Sequence, residues 1–195
     1  DWRYVNLKRK SKSIEAKSVG DPDHLLSQLK NKYKPQKELP TCKEAEEICN
    51  FILKKMNDYY PLLVIDMHED ESRKKLYIYS QGKLGSGDPI AKKIVSLLKR
   101  KGFEFYEMKK TQFGEPIIDG IVGKVKDYSI DDFIVSENIL VKNKIKKGPN
   151  AFSAITIETT TLNVPLPKRV NAHAEILEKL ESFFNKVKDI KKLNS

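Results

Sequence analysis

The sequence predicts an α/β fold in which a mostly parallel, mixed sheet lies between helices in three layers, as one domain over residues 1–195. Two observations lead to this prediction: a nearly continuous apolar strand at residues 61–67, and a regular alternation of further strands and amphipathic helices after it. With 195 residues, of which 39% are hydrophobic and 33% charged, the chain is long enough to bury one core.

The first elements are a short strand and a capped helix. The first 40 residues show only a strand-like alternation at 2–5 and one helical segment at 24–33. Thr41 with Glu44 forms a capping-box pattern, in which two side chains satisfy the free N–H groups of a helix start. This pattern and the apolar periodicity after it predict a helix over residues 42–57.

The central elements are two strands and a second helix. The apolar run 61–67 has the pattern of a buried strand, and it ends in the polar residues 68–71. Residues 76–79 form a second apolar strand. After a glycine-rich loop, Asp88 and Pro89 open a helix, since an aspartate caps a first turn and proline suits its first position.

The last part of the chain alternates strands with one long helix. Residues 103–106, 120–125 and 133–135 are short β-like runs, and residues 154–158 form a strand that ends in an acid. One face of a long final helix is predicted to contain Val170, His173, Leu177, Leu180, Phe184 and Val187. Alternating strands and helices are typical of a largely parallel sheet.

Charge and composition exclude some classes of protein. The net charge is +10, but the lysines are spread along the whole chain and arginines are few, which indicates solubility and does not favour a nucleic-acid partner. No apolar run reaches the roughly 18 residues that a membrane helix needs. Cys42 and Cys49 lie seven residues apart in the predicted helix, too far for a disulfide, so reduced thiols in a cytoplasmic protein are expected.

Residues that could bind a metal or transfer a proton lie at the ends of two of the predicted strands. Ligands of such sheets bind at the carboxyl ends of the strands. Asp66 and His68 are two residues apart, hence on the same side of an extended strand, where the acid could orient the imidazole ring. Glu158 emerges from the end of another strand. We therefore expect an imidazole and a carboxylate in a shared pocket.

These segments resemble a known family. L-V-I-D-M-H at residues 63–68, followed by L-Y-I-Y at 76–79, looks like the segment that supplies the third zinc ligand in the zinc metallocarboxypeptidases and their deacylase relatives, succinylglutamate desuccinylase and aspartoacylase. S-A-I-T-I-E-T at residues 153–159 resembles the strand that ends in the catalytic glutamate of that family. V-N-L-K-R at residues 5–9 is similar to its substrate clamp, commonly D-L-N-R.

The resemblance implies a zinc-dependent hydrolase. It makes His68 a zinc ligand oriented by Asp66, and Glu158 the catalytic residue that moves a proton from water to the leaving amine. Arg9 would bind a substrate carboxylate, beside Asn6 and Lys8 of the clamp segment. The implied substrate is a small peptide or an N-acyl amino acid, cleaved at the amide next to a free carboxylate.

The chain departs from the family pattern at two places. Lys8 stands where the clamp has its asparagine, and Asn6 stands where it has its acid. The first two zinc ligands of the family come from an H-x-x-E before the clamp, and no residues of this sequence occupy that place. Since the chain starts with Asp1 and not Met, we expect either that this segment precedes it, so that the domain is incomplete at its N-terminus, or that the metal has been lost.

Other interpretations remain open at this point. His68 and Glu71 themselves form an H-x-x-E, with His173 as a third ligand, although this would leave Glu158 without a role. His68 could also be an ordinary strand-end histidine bonded to Asp66.

The alternative to an enzyme is a metal-free, non-catalytic binding module on the same scaffold. Such a module would bind an acidic ligand with Lys8 and Arg9. A basic nucleic-acid-associated protein ranks third. The sequence indicates neither the substrate itself nor the oligomeric state.

Overall fold

The computed structural model describes residues 43–56, 58–70, 74–111, 113–125, 129–141 and 144–193 of the chain. The chain divides into two compact units: Asp1–Pro61 with Lys126–Ala151, and Leu62–Val125 with Phe152–Ser195. The elements in chain order are helix α1 (Lys43–Lys55), strands β1 (Leu63–Asp70) and β2 (Ile78–Ser80), a 3₁₀ helix (Gly85–Gly87), helix α2 (Pro89–Arg100), strands β3 (Met108–Lys110), β4 (Pro116–Ile118) and β5 (Ile121–Val122), helix α3 (Ile130–Val135), strands β6 (Asn138–Val141), β7 (Lys144–Lys147) and β8 (Ser153–Thr160), and helices α4 (Leu166–Glu178) and α5 (Leu180–Leu193).

The second unit contains a six-stranded mixed sheet with the strand order β1-β8-β2-β5-β4-β3. The pairs β1–β8 and β2–β5 are parallel, and the other three pairs of neighbours are antiparallel. Strands in an open sheet flanked by helices confirm the predicted α/β class. The first unit holds α1, α3 and the antiparallel pair β6–β7. Whether residues 1–195 act as one domain stays a prediction.

The two faces of the sheet have different side chains, because successive residues of a strand point to opposite sides. Alternate residues of β1 and β8 pack into the core formed with α2, α4 and α5, and we call this side the helix face; it includes Leu63, Ile65, Met67, Ile155 and Ile157. The residues between them form the opposite side, which we call the polar face; it includes Asp66, His68, Asp70, Thr156, Glu158 and Thr160.

Helix α2 forms as the sequence predicts. Asp88 caps it by accepting a hydrogen bond from the Ile90 N–H at 2.8 Å. The second oxygen of the Asp88 carboxylate accepts from Ser153 Oγ at 2.6 Å, which ties the helix start to the first residue of β8. The predicted core positions of this helix, Ile90, Ile94, Leu97 and Leu98, are all buried.

The final helix differs from its prediction. It is two helices, α4 and α5, which meet at Lys179, the C-cap of α4. Since the helices end and restart there, each turns its own stripe to the core: Ala172 and Ile176 from α4, Phe183 and Val187 from α5. Of the predicted apolar face, Val187 is buried, while Val170, Leu177, Leu180 and Phe184 are exposed. In the part of the chain that the structure covers, no helix has the length and apolarity that crossing a membrane requires.

Two short β predictions are also corrected. Residues 133–135 belong to helix α3, because Ser129 caps it and Asp131 and Asp132 lie in its first turn, where the helix dipole favours negative charge. Residues 103–106 form no strand, and Phe105 makes a single parallel bridge to Leu76.

Candidate functional site

The predicted imidazole and carboxylate lie next to each other on the polar face. His68 of β1 and Glu158 of β8 are partners in the parallel register, and Asp66 is paired in the same way with Thr156. Neighbouring strands are about 4.8 Å apart, so the bases of the two side chains are within one strand spacing. Residues 90 positions apart in the chain (158 − 68) are thereby brought to one surface.

Both residues lie inside their strands. The sequence predicts that the strands end at residues 67 and 158, but the pairs Glu69–Thr159 and Asp70–Thr160 continue the ladder. Polar side chains are tolerated there because the polar face carries no apolar helix packing from α2, α4 or α5. The site is therefore on a face of the sheet, close to the carboxyl ends of two parallel strands, and not in a loop beyond them.

Asp66 orients the ring of His68. Its Oδ2 lies 2.8 Å from His68 Nε2, and each side chain is 31% exposed. Since a carboxylate oxygen accepts the hydrogen bond, Nε2 is the ring nitrogen that donates to Asp66, and Nδ1 is on the other side of the ring. This is the arrangement in which a carboxylate fixes the tautomer and direction of a metal-binding or proton-accepting imidazole.

Glu158 is half-buried beside an aromatic wall. The antiparallel register of β2 pairs Tyr79 with Thr156, the neighbour but one of Glu158 in β8, and Tyr77 lies two residues before Tyr79, just outside β2. Tyr77 is buried, and the hydroxyl of Tyr79 lies 3.4 Å from both the Tyr77 hydroxyl and Glu115 Oε2. Tyr79 therefore lies on the same face of the sheet as Glu158, one register pair away from it.

The metal-ligand set is incomplete within the described ranges. Among those residues, no group of three or more His, Cys, Asp or Glu is arranged to hold a metal ion. Catalytic zinc sites have three protein ligands, whereas the polar face offers one imidazole whose nearest acid is already bonded to its other nitrogen. These residues alone do not fit a zinc ion. Asn6, Lys8, Arg9 and Glu71 lie outside the described residues, and their roles stay predictions.

His173, the third ligand of the alternative set, lies on the helix face and not beside His68. His173 belongs to α4 and its Nε2 lies 3.1 Å from Thr159 Oγ1, on the helix face. His68 projects from the polar face, as its bond to Asp66 and the core position of its neighbour Met67 show. Because the sheet separates the two imidazoles, they cannot bind one ion together.

Sequence analysis missed the residues behind the site. Thr159 and Glu69, which follow the two site residues in β8 and β1, contact His173 and Arg169 of α4. The available signal was the spacing of four between Arg169 and His173, which places both on one side of a helix. A spacing of four is common in helices, and only the tertiary structure shows which residues these two side chains contact.

Comparison with solved structures shows what the fold resembles. Three crystal structures described as a "putative metallopeptidase" match: one from Shewanella baltica OS155 (TM-score 0.60, 16% identity, 77% of this chain and 50% of that one), one from Shewanella amazonensis SB2B (0.59, 18%, 79% and 52%) and one from Shewanella denitrificans OS217 (0.53, 16%, 69% and 45%). At these identities the likeness shows the fold, and the chain spans about half the length of these proteins. No protein-family model and no curated protein matches the chain.

Proposed function

We propose that this chain carries part of the active site of a metal-dependent hydrolase that cleaves the amide next to a free carboxylate in a small peptide or N-acyl amino acid. The observation that carries the proposal is the register pairing of His68, oriented by Asp66, with Glu158 on one face of the sheet. The fold likeness to structures described as metallopeptidases supports it independently.

In this proposal His68 would be one ligand of a zinc ion, through Nδ1, the ring nitrogen that does not face Asp66. Asp66 holds the ring through Nε2 and so fixes its direction. The remaining ligands would come from residues outside the described ranges. When bound, zinc polarises a carbonyl and lowers the pKa of a water molecule toward about 7.

Glu158 acts as the general base and then as the general acid. Its carboxylate takes the proton from the attacking water and returns it to the departing amine, so that a neutral amine leaves. The sequence adds Arg9, whose planar fork would pair with the substrate carboxylate, a task for which lysine is a poor replacement.

The catalytic role is tested by Glu158→Gln, which keeps the shape of the side chain and removes its basicity. We expect kcat for an N-acetylated amino acid to fall by about 10² to 10⁴-fold, with the metal content unchanged. Glu104→Gln is the matched control, since that carboxylate is 73% exposed in an ion pair with Lys75; its kcat should equal that of the wild type. Retained turnover in Glu158→Gln would remove this residue from the mechanism.

The substrate class is tested with the same N-acetylated amino acid after its carboxylate is converted to an amide. Loss of the charge should raise KM, because Arg9 would have no carboxylate to bind. Equal kcat/KM for both compounds would contradict the preference for a free carboxylate.

A second candidate is the metal-free binding module, which would bind an acidic ligand with Lys8 and Arg9. Metal analysis of the natural full-length protein separates the two. Stoichiometric zinc that is lost in His68→Ala supports the hydrolase. A folded, full-length protein that takes up no zinc on dialysis against it supports the module.

A further inference from the structure

Two polar side chains of α4 contact the ends of β1 and β8 on the helix face. Arg169 and His173 are four residues apart, so they lie one above the other on the same side of this helix. Arg169 forms an ion pair with Glu69, and His173 contacts Thr159. Glu69 and Thr159 are register partners, so both contacts converge on one step of the β1–β8 ladder.

The second contact continues to the backbone of His68. Thr159 Oγ1 donates a hydrogen bond to the carbonyl oxygen of His68 at 3.2 Å and lies 3.1 Å from His173 Nε2. A hydroxyl has a single proton, and here it is given to the carbonyl, so His173 Nε2 must be the donor to Thr159. The result is a directed chain of hydrogen bonds from His173 through Thr159 to the peptide of His68.

The ion pair holds the next residue. The side chain of Arg169 is 13% exposed and that of Glu69 39%, and Arg169 Nε also donates to the carbonyl of Val164 at 3.2 Å. The guanidinium is therefore fixed at both ends, between the loop before α4 and β1. A shielded, multiply bonded arginine of this kind holds its partner more firmly than an exposed lysine would.

These polar groups lie where the rest of the helix face is apolar. Ile155 and Ile157 of β8 are fully buried against the helices, and Thr159 is the next residue on that face, with no exposed surface. Burying a hydroxyl and an imidazole costs free energy that a valine at the same place would avoid. The cost is offset by the hydrogen bonds that Thr159 forms with the His68 carbonyl and with His173.

We infer that Thr159 and His173 are positioning residues, which together with the Arg169–Glu69 pair fix the backbone at His68 and so hold the imidazole beside Glu158. The inference rests on the proposed function for its catalytic consequence. Its structural part, the coupling of α4 to His68 through the sheet, stands on the contacts alone. Displacements of about 1 Å at a site can lower the catalytic rate by two orders of magnitude. Contacts that hold the backbone of His68 in place should therefore have a measurable effect on kcat.

The test compares Thr159→Val with Thr159→Ser in the full-length protein. Valine keeps the shape and removes the hydroxyl, whereas serine keeps the hydroxyl and loses a methyl group. With uniformly nitrogen-labelled protein, we expect the ring resonances of His68 and the amide resonance of Glu69 to shift in Thr159→Val and to return toward the wild-type positions in Thr159→Ser. We expect kcat to fall about tenfold in Thr159→Val with KM unchanged, and serine to restore most of it.

His173 provides a second pair of variants in case Thr159→Val does not fold. Glutamine can still donate a hydrogen bond to Thr159, and leucine cannot. The His68 resonances should shift in His173→Leu and stay close to wild type in His173→Gln. The inference is overturned if Thr159→Val and His173→Leu leave these resonances unchanged, or if serine and glutamine disturb them as much as valine and leucine.

The resonances also separate this inference from the proposed function. If the wild type hydrolyses none of the substrates, the hydrolase proposal fails, and the resonance shifts still decide whether α4 holds His68. If Glu158→Gln abolishes turnover while Thr159→Val changes neither resonances nor kcat, the hydrolase stands and only the positioning role is wrong.

Discussion

The two faces of the β1–β8 pair use the same backbone for different purposes. On the helix face, Ile155 and Ile157 are fully buried against three helices. On the polar face, Asp66, His68 and Glu158 are half-buried; Asp66 contacts His68, and His68 and Glu158 are register partners. Because the residues of the two faces alternate, Asp66 lies between the core residues Ile65 and Met67, and His68 and Glu158 each follow a core residue of their own strand. Packing on the other side of the sheet therefore helps to set the positions of the site residues.

The contrast changes at the end of the strands. Glu69 and Thr159 occupy the helix face but are polar, and they contact α4 where the residues before them contact the apolar core. In the middle of the strands the helix face is apolar and the polar face carries the site residues. Near the site, residues on the helix face are also polar and form hydrogen bonds and an ion pair. Three substitutions test how far this difference between the two faces holds.

The largest effect on stability is expected from the helix face. Ile157→Ala leaves a cavity among fully buried side chains, and the free energy of unfolding should fall by about 2–5 kcal/mol in urea. Ile118→Ala is the matched control, because Ile118 is 54% exposed and its truncation should cost less than about 0.5 kcal/mol. Similar losses in both variants would mean that burial does not distinguish these positions.

A smaller effect, confined to acid conditions, is expected from His173. Burial lowers the pKa of His173 below its ordinary value of 6.5, with Arg169 acting in the same direction and Glu69 opposing it. The unfolded chain then binds more protons in this range, so the stabilisation is complete above about pH 6.5 and is lost as the pH falls through the lower folded pKa. Urea unfolding at pH 7.5 and 5.5 should show a smaller loss of stability in His173→Gln than in the wild type. An equal loss would place the acid sensitivity elsewhere.

The smallest effect on stability is expected on the polar face. In Asp66→Asn the charged partner of a half-exposed histidine is lost, and the free energy of unfolding should change by less than about 1 kcal/mol. If the proposed function is correct, kcat should nevertheless fall by about 10 to 100-fold, because the ring loses the group that fixes its direction. A stability loss equal to that of Ile157→Ala would show that the polar face also maintains the fold.

Much of the fold could be predicted because its signals are local. The cap at Asp88, proline at the first position of α2 and the spacing of its apolar residues specify that helix without reference to the rest of the chain. Residues 133–135 misled because three apolar or aromatic residues fit a strand as well as a helical turn. The break at Lys179 was missed because nothing in a continuous apolar periodicity marks it, and tertiary packing decides which stripe each helix buries.

The candidate site was also predictable only as far as its signals are local. Alternation in a strand places Asp66 and His68 on one side, and the order of the strands makes a meeting with Glu158 plausible. The register that makes His68 and Glu158 direct partners is not encoded in either segment alone. Thr159, Arg169 and Glu69 escaped detection because a hydroxyl, a guanidinium and a carboxylate in unrelated segments carry no sign of a common target.

The parallel pairing of β1 with β8 also has a kinetic consequence. Parallel strands cannot be joined by a tight turn, and here the connection includes α2 and every other strand of the sheet. The entropy of closing so long a loop must be overcome before His68 and Glu158 can meet, which makes their contact a late event in folding. If the chain were cut between β1 and β8, its local secondary structure could still form, but His68 and Glu158 would not be brought together by a single folding chain.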